Sequence, residues 1–275
     1  MARTALVTGS SSGFGLLTCV ELARRGFRVL ATMRNPARSG RLDAALAEAG
    51  QTAETIQLDV TDAASIDAAV RAAGAVDVLV NNAGYGIVGF AEDLTVDEYR
   101  EQFETNFFGL VALCKAFIPQ MRERRSGRII NVTSLNGHVG VPNLSAYCAS
   151  KFAVEGFSES LRHELLPHGV FVTCVAPGTF KTDIFDRNKR RAAALDDGTS
   201  PHLALAEKLE QFGVDYANRN GADPRAVAVA IARAATARRP ALHYFVGVDA
   251  RLGKTARTVL PMRTLEIATG LLMRK

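Results

Sequence analysis

Short apolar segments alternate with longer helix-forming segments along this chain, and this alternation constrains its fold more than any other feature. The clearest strand candidates are 5–8, 28–32, 55–58, 76–80, 128–132, 170–175 and 243–246. The run at 76–80 is continuously apolar, as expected of a strand covered on both faces. We therefore predict the α/β class, with a doubly wound parallel sheet of about seven strands and helices on both faces.

No linker divides the chain, so we expect a single domain over residues 1–275. Residues 180–220 are polar, charged and irregular, and they follow the end of a predicted strand, where parallel sheets bind ligands. We expect this segment to be a lid over the substrate. Residues 250–275 form a C-terminal extension, whose amphipathic basic part from 258 fits a docked helix better than the alternative, a helix on a membrane surface.

The net charge of +5 and the pI of about 9.2 leave room for an acidic partner. The basic runs at 122–125 and 187–191 contain no aromatic residues, however, and fit a solvated surface. We therefore expect a small-molecule substrate and no nucleic-acid partner. No apolar run is long enough to span a bilayer, so we also expect no transmembrane segment.

The four cysteines are scattered, without a Cys-x-x-Cys pair, and the five histidines form no His-Glu-x-x-His motif. We expect neither a disulfide framework nor a metal site. Thiols of this kind, and a strand that follows Met-Ala-Arg at once with no room for a signal peptide, favour a cytoplasmic location.

A glycine-rich loop follows the first predicted strand directly and opens the first helix. Glycines permit a tight turn and let backbone N–H groups approach a phosphate, and the positive end of the helix dipole points at the same place. The alternative is a purely structural turn, which the position between strand and helix disfavours. The predicted phosphate-loop contacts are Thr8, Gly9, Ser11, Ser12, Gly13, Phe14 and Gly15.

The end of the second strand decides which nicotinamide cofactor such a loop would hold. An acidic residue there would bind the ribose hydroxyls of NAD, but the segment 32–35 is Thr-Met-Arg-Asn. Arg34 can instead pair with the 2′-phosphate of NADP, with Ser11 or Ser12 adding a hydroxyl. The alternative for Arg34 is a plain surface charge. We expect NADP(H) as the cofactor.

Four polar residues form a candidate catalytic group. Tyr147 and Lys151 share one face of a predicted helix, and Ser134 follows the preceding strand. Asn106 lies inside a long helix predicted from about 96 to 124. Taken singly, each has an ordinary alternative: a helix aromatic, a solvated charge, a helix cap and a buried amide.

Together the four residues suit hydride transfer, because the transfer of a hydride to a carbonyl needs a proton donor at the developing alkoxide. We expect Lys151 to lower the pKa of Tyr147, since a nearby ammonium stabilises a phenolate. Ser134 would hold the substrate oxygen, and Asn106 would hold a water chain that resupplies the proton.

Further motifs join these residues: the Gly-x-x-x-Gly-x-Gly spacing after Thr8, Asn-Asn-Ala-Gly at 81–84, Tyr147-x-x-x-Lys151, and Pro-Gly at 177–178. Together they resemble the short-chain dehydrogenase/reductase family over nearly the whole chain. The resemblance implies a single-domain Rossmann fold and hydride transfer between a nicotinamide cofactor and a carbonyl or alcohol. The cofactor contacts that it implies are Asp59, Val60, Asn82, Ala83, Gly84, Tyr147, Lys151, Pro177, Gly178, Thr179 and Thr182.

Three segments, 29–34, 39–42 and 147–156, look like the branch that contains 17β-hydroxysteroid dehydrogenase type 1 and photoreceptor-type retinol dehydrogenase. This resemblance implies a bulky apolar ketone, aldehyde or secondary alcohol as substrate. The expected substrate contacts are Ser134, Asn136, Val141 and Tyr147. The family usually forms homodimers or tetramers, and we favour a dimer. The alternative to an enzyme is a catalytically silent NADP(H)-binding sensor of the same fold.

Overall fold

Residues 2–181 and 189–274, which the computed structural model describes, form a central parallel sheet with helices on both faces. Their strands are β1 (Thr4–Thr8), β2 (Arg28–Met33), β3 (Glu54–Gln57), β4 (Val78–Asn81), β5 (Gly86–Val88), β6 (Gly127–Val132), β7 (Val170–Pro177), β8 (Lys189–Arg191) and β9 (His243–Val246). Seven of these described strands form the main sheet in the order β3-β2-β1-β4-β6-β7-β9, and every neighbouring pair is parallel. The predicted α/β class and single-domain Rossmann fold are confirmed.

The strand order reverses between β1 and β4, and this reversal creates the crevice in which parallel sheets bind ligands. β1 and β4 are buried along their whole length, in agreement with their apolar centres at 5–7 and 78–80. Val7 pairs with Val80, so the loops that follow the two strands begin side by side.

Helices cover both faces of the sheet. The described helices are α1 (Gly13–Arg24), α2 (Gly40–Glu48), α3 (Ala63–Ala73), α4 (Val96–Phe103), α5 (Gly109–Glu123), α6 (Ser145–Leu165), α7 (Ala193–Asp196), α8 (Leu203–Asn220), α9 (Arg225–Thr236), α10 (Val248–Val259) and α11 (Met262–Arg274). One apolar layer joins α1, α2 and α9 to the sheet around Leu22 and Ile231. The opposite layer joins α3, α5 and α6 around Phe117 and Leu113. Burial of each such side chain contributes roughly 1.5–3 kcal/mol.

The long helix predicted from about 96 to 124 is wrong in one respect. A π turn, Glu104–Phe108, separates α4 from α5. A π turn inserts an extra residue into a helix and is frequent at functional sites. Here it carries Asn106 into the protein interior, where the residue is 2% exposed.

The described part of the region 180–220 contains the short strand β8 and the helices α7 and α8. β8 pairs in parallel with β5, and the two strands form a separate sheet outside the main one. The buried carboxylate of Glu98 on α4 fastens the same region, since it accepts hydrogen bonds from the N–H groups of Ala193 (2.9 Å) and Thr95 (2.8 Å). Strand pairing and a buried carboxylate therefore both hold the region to the body of the domain.

The C-terminal extension begins with α10, whose first turn docks on the loop after β7. The carboxylate of Asp249 accepts a hydrogen bond from the N–H group of Thr179 at 2.5 Å. Further along the extension, Leu252 and Val259 stay exposed. Among the described helices, none combines the length and the apolar character needed to cross a membrane.

Candidate active site

A cleft of about 740 Å³ lies along the carboxyl edge of the main sheet, formed by the loops after β1, β2, β4, β6 and β7. This volume is in the range of small-molecule and cofactor sites. The predicted site residues that line it are Gly9, Ser11, Ser12, Gly13, Phe14, Arg34, Asp59, Val60, Asn82, Ala83, Gly84, Ser134, Asn136, Tyr147, Lys151, Pro177, Gly178 and Thr179. Those that do not line it are Thr8, Gly15, Asn106 and Val141. Thr182, a predicted cofactor contact, falls outside the described residues.

Thr8 organises the cleft from beneath. Its hydroxyl accepts hydrogen bonds from the N–H groups of Asn82 and Ala83, both at 2.9 Å. The Asn82 amide donates in return to the Thr8 carbonyl oxygen at 2.8 Å. Because these bonds join residues 74 and 75 positions apart, they fix the loops after β1 and β4 against each other.

Three glycines give the loop after β1 its shape. Gly9 and Gly13 have φ angles of +68° and +56°, which residues with a side chain rarely adopt. A Cβ on Gly15 would lie 2.3 Å from the carbonyl oxygen of Gly9, so this turn closes only without a side chain. A Cβ on Gly13 would meet no protein atom within 4 Å. Gly13 therefore presents bare backbone to the cleft at the start of α1, an arrangement that fits a phosphate.

Arg34 lies where β2 ends and lines the same cleft with an exposed side chain. It forms no ion pair with any residue that the structure describes. Ser11 and Ser12 also line the cleft, whereas Ser10 is buried and its hydroxyl donates to the Val7 carbonyl oxygen at 2.8 Å. The guanidinium of Arg34 and the hydroxyls of Ser11 and Ser12 together fit a phosphate on the ribose of a dinucleotide.

Ser134 and Tyr147 meet at the end of β6. Ser134 begins a short 3₁₀ turn, and its hydroxyl accepts a hydrogen bond from the N–H group of Asn136 at 3.1 Å. The same hydroxyl is hydrogen-bonded to the phenol of Tyr147, which is 3% exposed. Ser134 is therefore both the cap considered from the sequence and a neighbour of the candidate acid.

Lys151 lies one helical turn after Tyr147 on α6, and it is also buried. Its Nζ donates to the Val132 carbonyl oxygen at 2.9 Å and lies 5.8 Å from the centre of the Tyr147 ring. A strand end therefore holds the ammonium beside the phenol.

The pKa of Tyr147 is not lowered overall, contrary to the expectation from the neighbouring Lys151, because burial has the larger effect. Burial raises the pKa of Tyr147 to about 12, and the hydrogen bond with Ser134 only partly opposes it. Burial also lowers the pKa of Lys151 to about 8. Both shifts have one cause, since a poorly solvated site disfavours the charged form of either group.

Asn106 fastens the cleft wall to α6. Its Nδ2 donates to the Tyr85 carbonyl oxygen (3.0 Å) and to the Ser150 hydroxyl (3.1 Å), and its Oδ1 accepts from the Tyr85 N–H group (3.1 Å). These hydrogen bonds give the Asn106 side chain a structural role. Its predicted part in a water chain stays a prediction, as does substrate contact by Val141.

Sequence reasoning missed several residues of the cleft wall: Met33, Leu58, Thr61, Tyr85, Glu101, Glu104, Thr105, Val132, Thr133 and Leu135. It placed Arg190 both in a solvated basic run and in the lid segment 180–220, and Arg190 lines the cleft and pairs with Glu101. A signal existed for Tyr85, because it directly follows Gly84 at the end of the Asn-Asn-Ala-Gly motif. No local signal links Arg190 to Glu101.

Among the described residues, one cluster could supply three metal-ligand atoms. Its members are His138, Glu155 and His243. Each histidine already approaches one oxygen of the Glu155 carboxylate, at 3.1 Å and 3.0 Å respectively. These contacts with Glu155 account for the cluster without a metal, and the expected absence of a metal stays a prediction.

Residues 3–193 match the family model of short chain dehydrogenases. The chain belongs to the short-chain dehydrogenase family. It is therefore an oxidoreductase that acts on alcohol or carbonyl groups with a nicotinamide cofactor.

Individual relatives indicate the branch of the family to which the chain belongs. The chain is 40% identical over 274 residues to the uncharacterized oxidoreductase YusZ of Bacillus subtilis (strain 168), covering 96% of each protein. It is 38% identical over 280 residues to retinol dehydrogenase 8 of Homo sapiens, covering 97% of this chain and 88% of that protein. It is 38% identical over 260 residues to 17-beta-hydroxysteroid dehydrogenase type 1 of Homo sapiens, with coverages of 89% and 78%. The predicted branch is confirmed.

Solved structures agree with the fold. A short-chain dehydrogenase from Streptomyces avermitilis superposes with a TM-score of 0.82 at 35% identity, covering 99% of this chain and 98% of that one. A metagenomic short-chain oxidoreductase in complex with NADP superposes with a TM-score of 0.69 at 27% identity, with coverages of 89% and 96%.

A Gly13→Ala substitution tests the phosphate loop against a matched glycine. Gly26 also has a positive φ, +77°, and open space at its Cβ, but it does not line the cleft. We expect both alanine variants to lose roughly 1–2 kcal/mol of stability through backbone strain. Only Gly13→Ala should weaken NADPH binding, by about tenfold or more. Urea unfolding and NADPH fluorescence titration measure the two effects, and equal NADPH affinities in the two variants would contradict the assignment.

Proposed function

We propose that the protein is an NADP(H)-dependent oxidoreductase that transfers a hydride between the nicotinamide and a carbonyl or alcohol group of a bulky apolar molecule. The observation that carries this proposal is the meeting of Ser134, Tyr147 and Lys151 in the same cleft as Arg34. Arg34 follows β2 and Ser134 follows β6, with β1 and β4 between them. At about 4.8 Å per strand this separation is roughly 14 Å, which suits an extended dinucleotide.

Two features support NADP(H) rather than NAD(H). Arg34 lines the cleft beside Ser11 and Ser12, and the segment 32–35 supplies no carboxylate for the ribose hydroxyls. A solved structure of the same family is a complex with NADP.

The chemistry follows from the positions of three side chains. When bound, NADP(H) supplies or accepts the hydride. In the reducing direction the Tyr147 hydroxyl donates its proton to the substrate oxygen, which the Ser134 hydroxyl holds beside it. The raised pKa keeps this proton on Tyr147 until the developing alkoxide takes it. The Lys151 ammonium then stabilises the phenolate from the same helix.

The wall near Ser134 and Tyr147 supports an apolar substrate. Leu135 and Phe180 line it, and Phe180 packs edge-to-face on Phe14 with ring centres 5.6 Å apart. Two relatives are named for retinol and for a 17-beta-hydroxysteroid. We assign a steroid-like, retinoid-like or 3-oxoacyl-like substrate to this chain.

A carbonyl panel tests the proposed activity. NADPH oxidation at 340 nm should be detectable with at least one of steroid ketones, retinal, 3-oxoacyl thioesters or aromatic ketones. Tight NADPH binding without turnover on the whole panel would instead indicate the catalytically silent sensor.

The Tyr147→Phe variant tests the assignment of the proton donor. It should fold and bind NADPH, because the ring stays, and should lose about 10²–10⁴-fold in kcat because the proton donor is gone. A matched control is Tyr99→Phe, since Tyr99 also carries a hydroxyl that hydrogen-bonds a serine, at 2.6 Å from Ser145, but does not line the cleft. Turnover by Tyr147→Phe at the wild-type rate would remove Tyr147 as the acid.

The Arg34→Ala variant tests the cofactor preference. We expect kcat/KM for NADPH to fall about 10–100-fold, because a charge-assisted hydrogen bond contributes roughly 1.5–3 kcal/mol. The value for NADH should change little. Arg38→Ala is the matched control, since Arg38 is an exposed arginine four residues on that does not line the cleft. An unchanged NADPH preference in Arg34→Ala would contradict the proposal.

We also propose that the protein forms a homodimer through the faces of α5 and α6. Phe108, in the π turn that leads into α5, and Phe152 on α6 are 51% and 44% exposed, whereas Phe107 and Phe157 pack edge-to-face against the core. Light scattering should show a dimer that Phe108→Ser/Phe152→Ser disrupts. Phe212→Ser, at an equally exposed position on α8, is the control. A monomeric wild type would reject the dimer.

A further inference from the structure

Glu155 is a buried carboxylate for which the proposed chemistry has no use. It lies on α6 one helical turn after Lys151, so the two side chains share a face of the helix. Only 7% of the residue is exposed. A carboxylate seldom occupies such a position unless other groups compensate for the lost hydration.

Two histidines from different parts of the chain supply that compensation. His243 on β9 bonds through Nε2 to one oxygen of the Glu155 carboxylate at 3.0 Å. The Nε2 of His138, after the 3₁₀ turn at Ser134, lies 3.1 Å from the other oxygen. Burial acts to raise the pKa of Glu155, but the neighbouring side chains of His138, His243 and Thr133 outweigh it and lower this pKa to about 2. The carboxylate is therefore ionised throughout the working range of pH.

Lys151 gains most from this fixed charge. Burial lowers the pKa of Lys151 to about 8, and the charge of Glu155 is the largest effect in the opposite direction. The ammonium is otherwise held by a neutral carbonyl oxygen, that of Val132. Without the carboxylate, the ammonium would lose its proton at a lower pH.

The other titratable groups around Glu155 do not replace it. Cys174 on β7 is hydrogen-bonded to Glu155, and burial raises the pKa of its thiol well above the ordinary value, so it stays neutral. Tyr147 on α6 keeps its proton, since burial raises its pKa to about 12. Glu159, one turn further along α6, is exposed, so that solvent screens its charge.

We propose that Glu155 is a positioning residue whose buried carboxylate, anchored by His138 and His243, keeps Lys151 charged and thereby sets the upper pH limit of the reaction. The proposal rests on the proposed function, because it concerns the residue that stabilises the Tyr147 phenolate. Glu155 acts through Lys151 and does not line the cleft.

The Glu155→Gln variant removes the charge and keeps the shape. We expect the high-pH limb of its kcat/KM profile to move by at least one pH unit to lower pH. Activity at pH 8 should therefore fall about fivefold or more, while at pH 6 it stays within about threefold of wild type. Glu159→Gln removes the same charge from the same helix and should leave the profile unchanged. An unmoved limb in Glu155→Gln, or an equal loss of activity at every pH, would overturn the proposal.

A second readout needs no turnover. In protein labelled with ¹³C at lysine Cε, the signal lost in Lys151→Met reports the titration of Lys151 in the wild type. That titration should occur at lower pH in Glu155→Gln and at the wild-type pH in Glu159→Gln. Because this measurement is independent of activity, it distinguishes failure of the inference from failure of the proposed function. If Glu155→Gln does not fold, the wild type decides: a Lys151 that titrates well below pH 7 contradicts the proposal.

Discussion

Parallel hydrogen bonding among β1, β4, β6 and β7 is the constraint on which the rest of this structure depends. Parallel strands end at the same edge of a sheet, so loops that are far apart in sequence meet there. Asn131, for example, pairs with Asn81 on one side and Cys174 on the other. A one-residue slip in either pairing would turn the strand's side chains to the wrong face and separate the loops.

Single polar side chains then hold the loops in place. Thr8 satisfies backbone N–H groups of the loop after β4, Asn106 satisfies that of Tyr85, and Asp249 satisfies that of Thr179. Each is a polar group that accepts a hydrogen bond from a backbone N–H group in the wall of the cleft. The cleft therefore keeps its shape through a few specific hydrogen bonds and does not depend on apolar packing alone.

Electrostatics at the reaction end of the cleft follows from the same burial. The low solvation that stabilises neutral Tyr147 also threatens the charge of Lys151, as their opposite pKa shifts show. The negative charge of Glu155, one helical turn from Lys151, favours the charged ammonium. Its two histidine partners explain how this buried carboxylate is tolerated. Proton donor, ammonium and carboxylate thus lie along one face of α6, each a helical turn or two from the next.

Apolar runs, glycines and helical periodicity within short windows were enough to predict the parallel sheet, the glycine-rich loop and the spacing of Tyr147 and Lys151. Ser134 and Arg34 were also predictable, since each directly follows a strand. Only the folded structure shows the π turn at Asn106 and the burial that raises the pKa of Tyr147. It alone brought Glu155 to His243, 88 residues away, and Arg190 to Glu101, 89 residues away. Such contacts have no local signature, because packing of distant elements creates them and sets how much solvation each charge keeps.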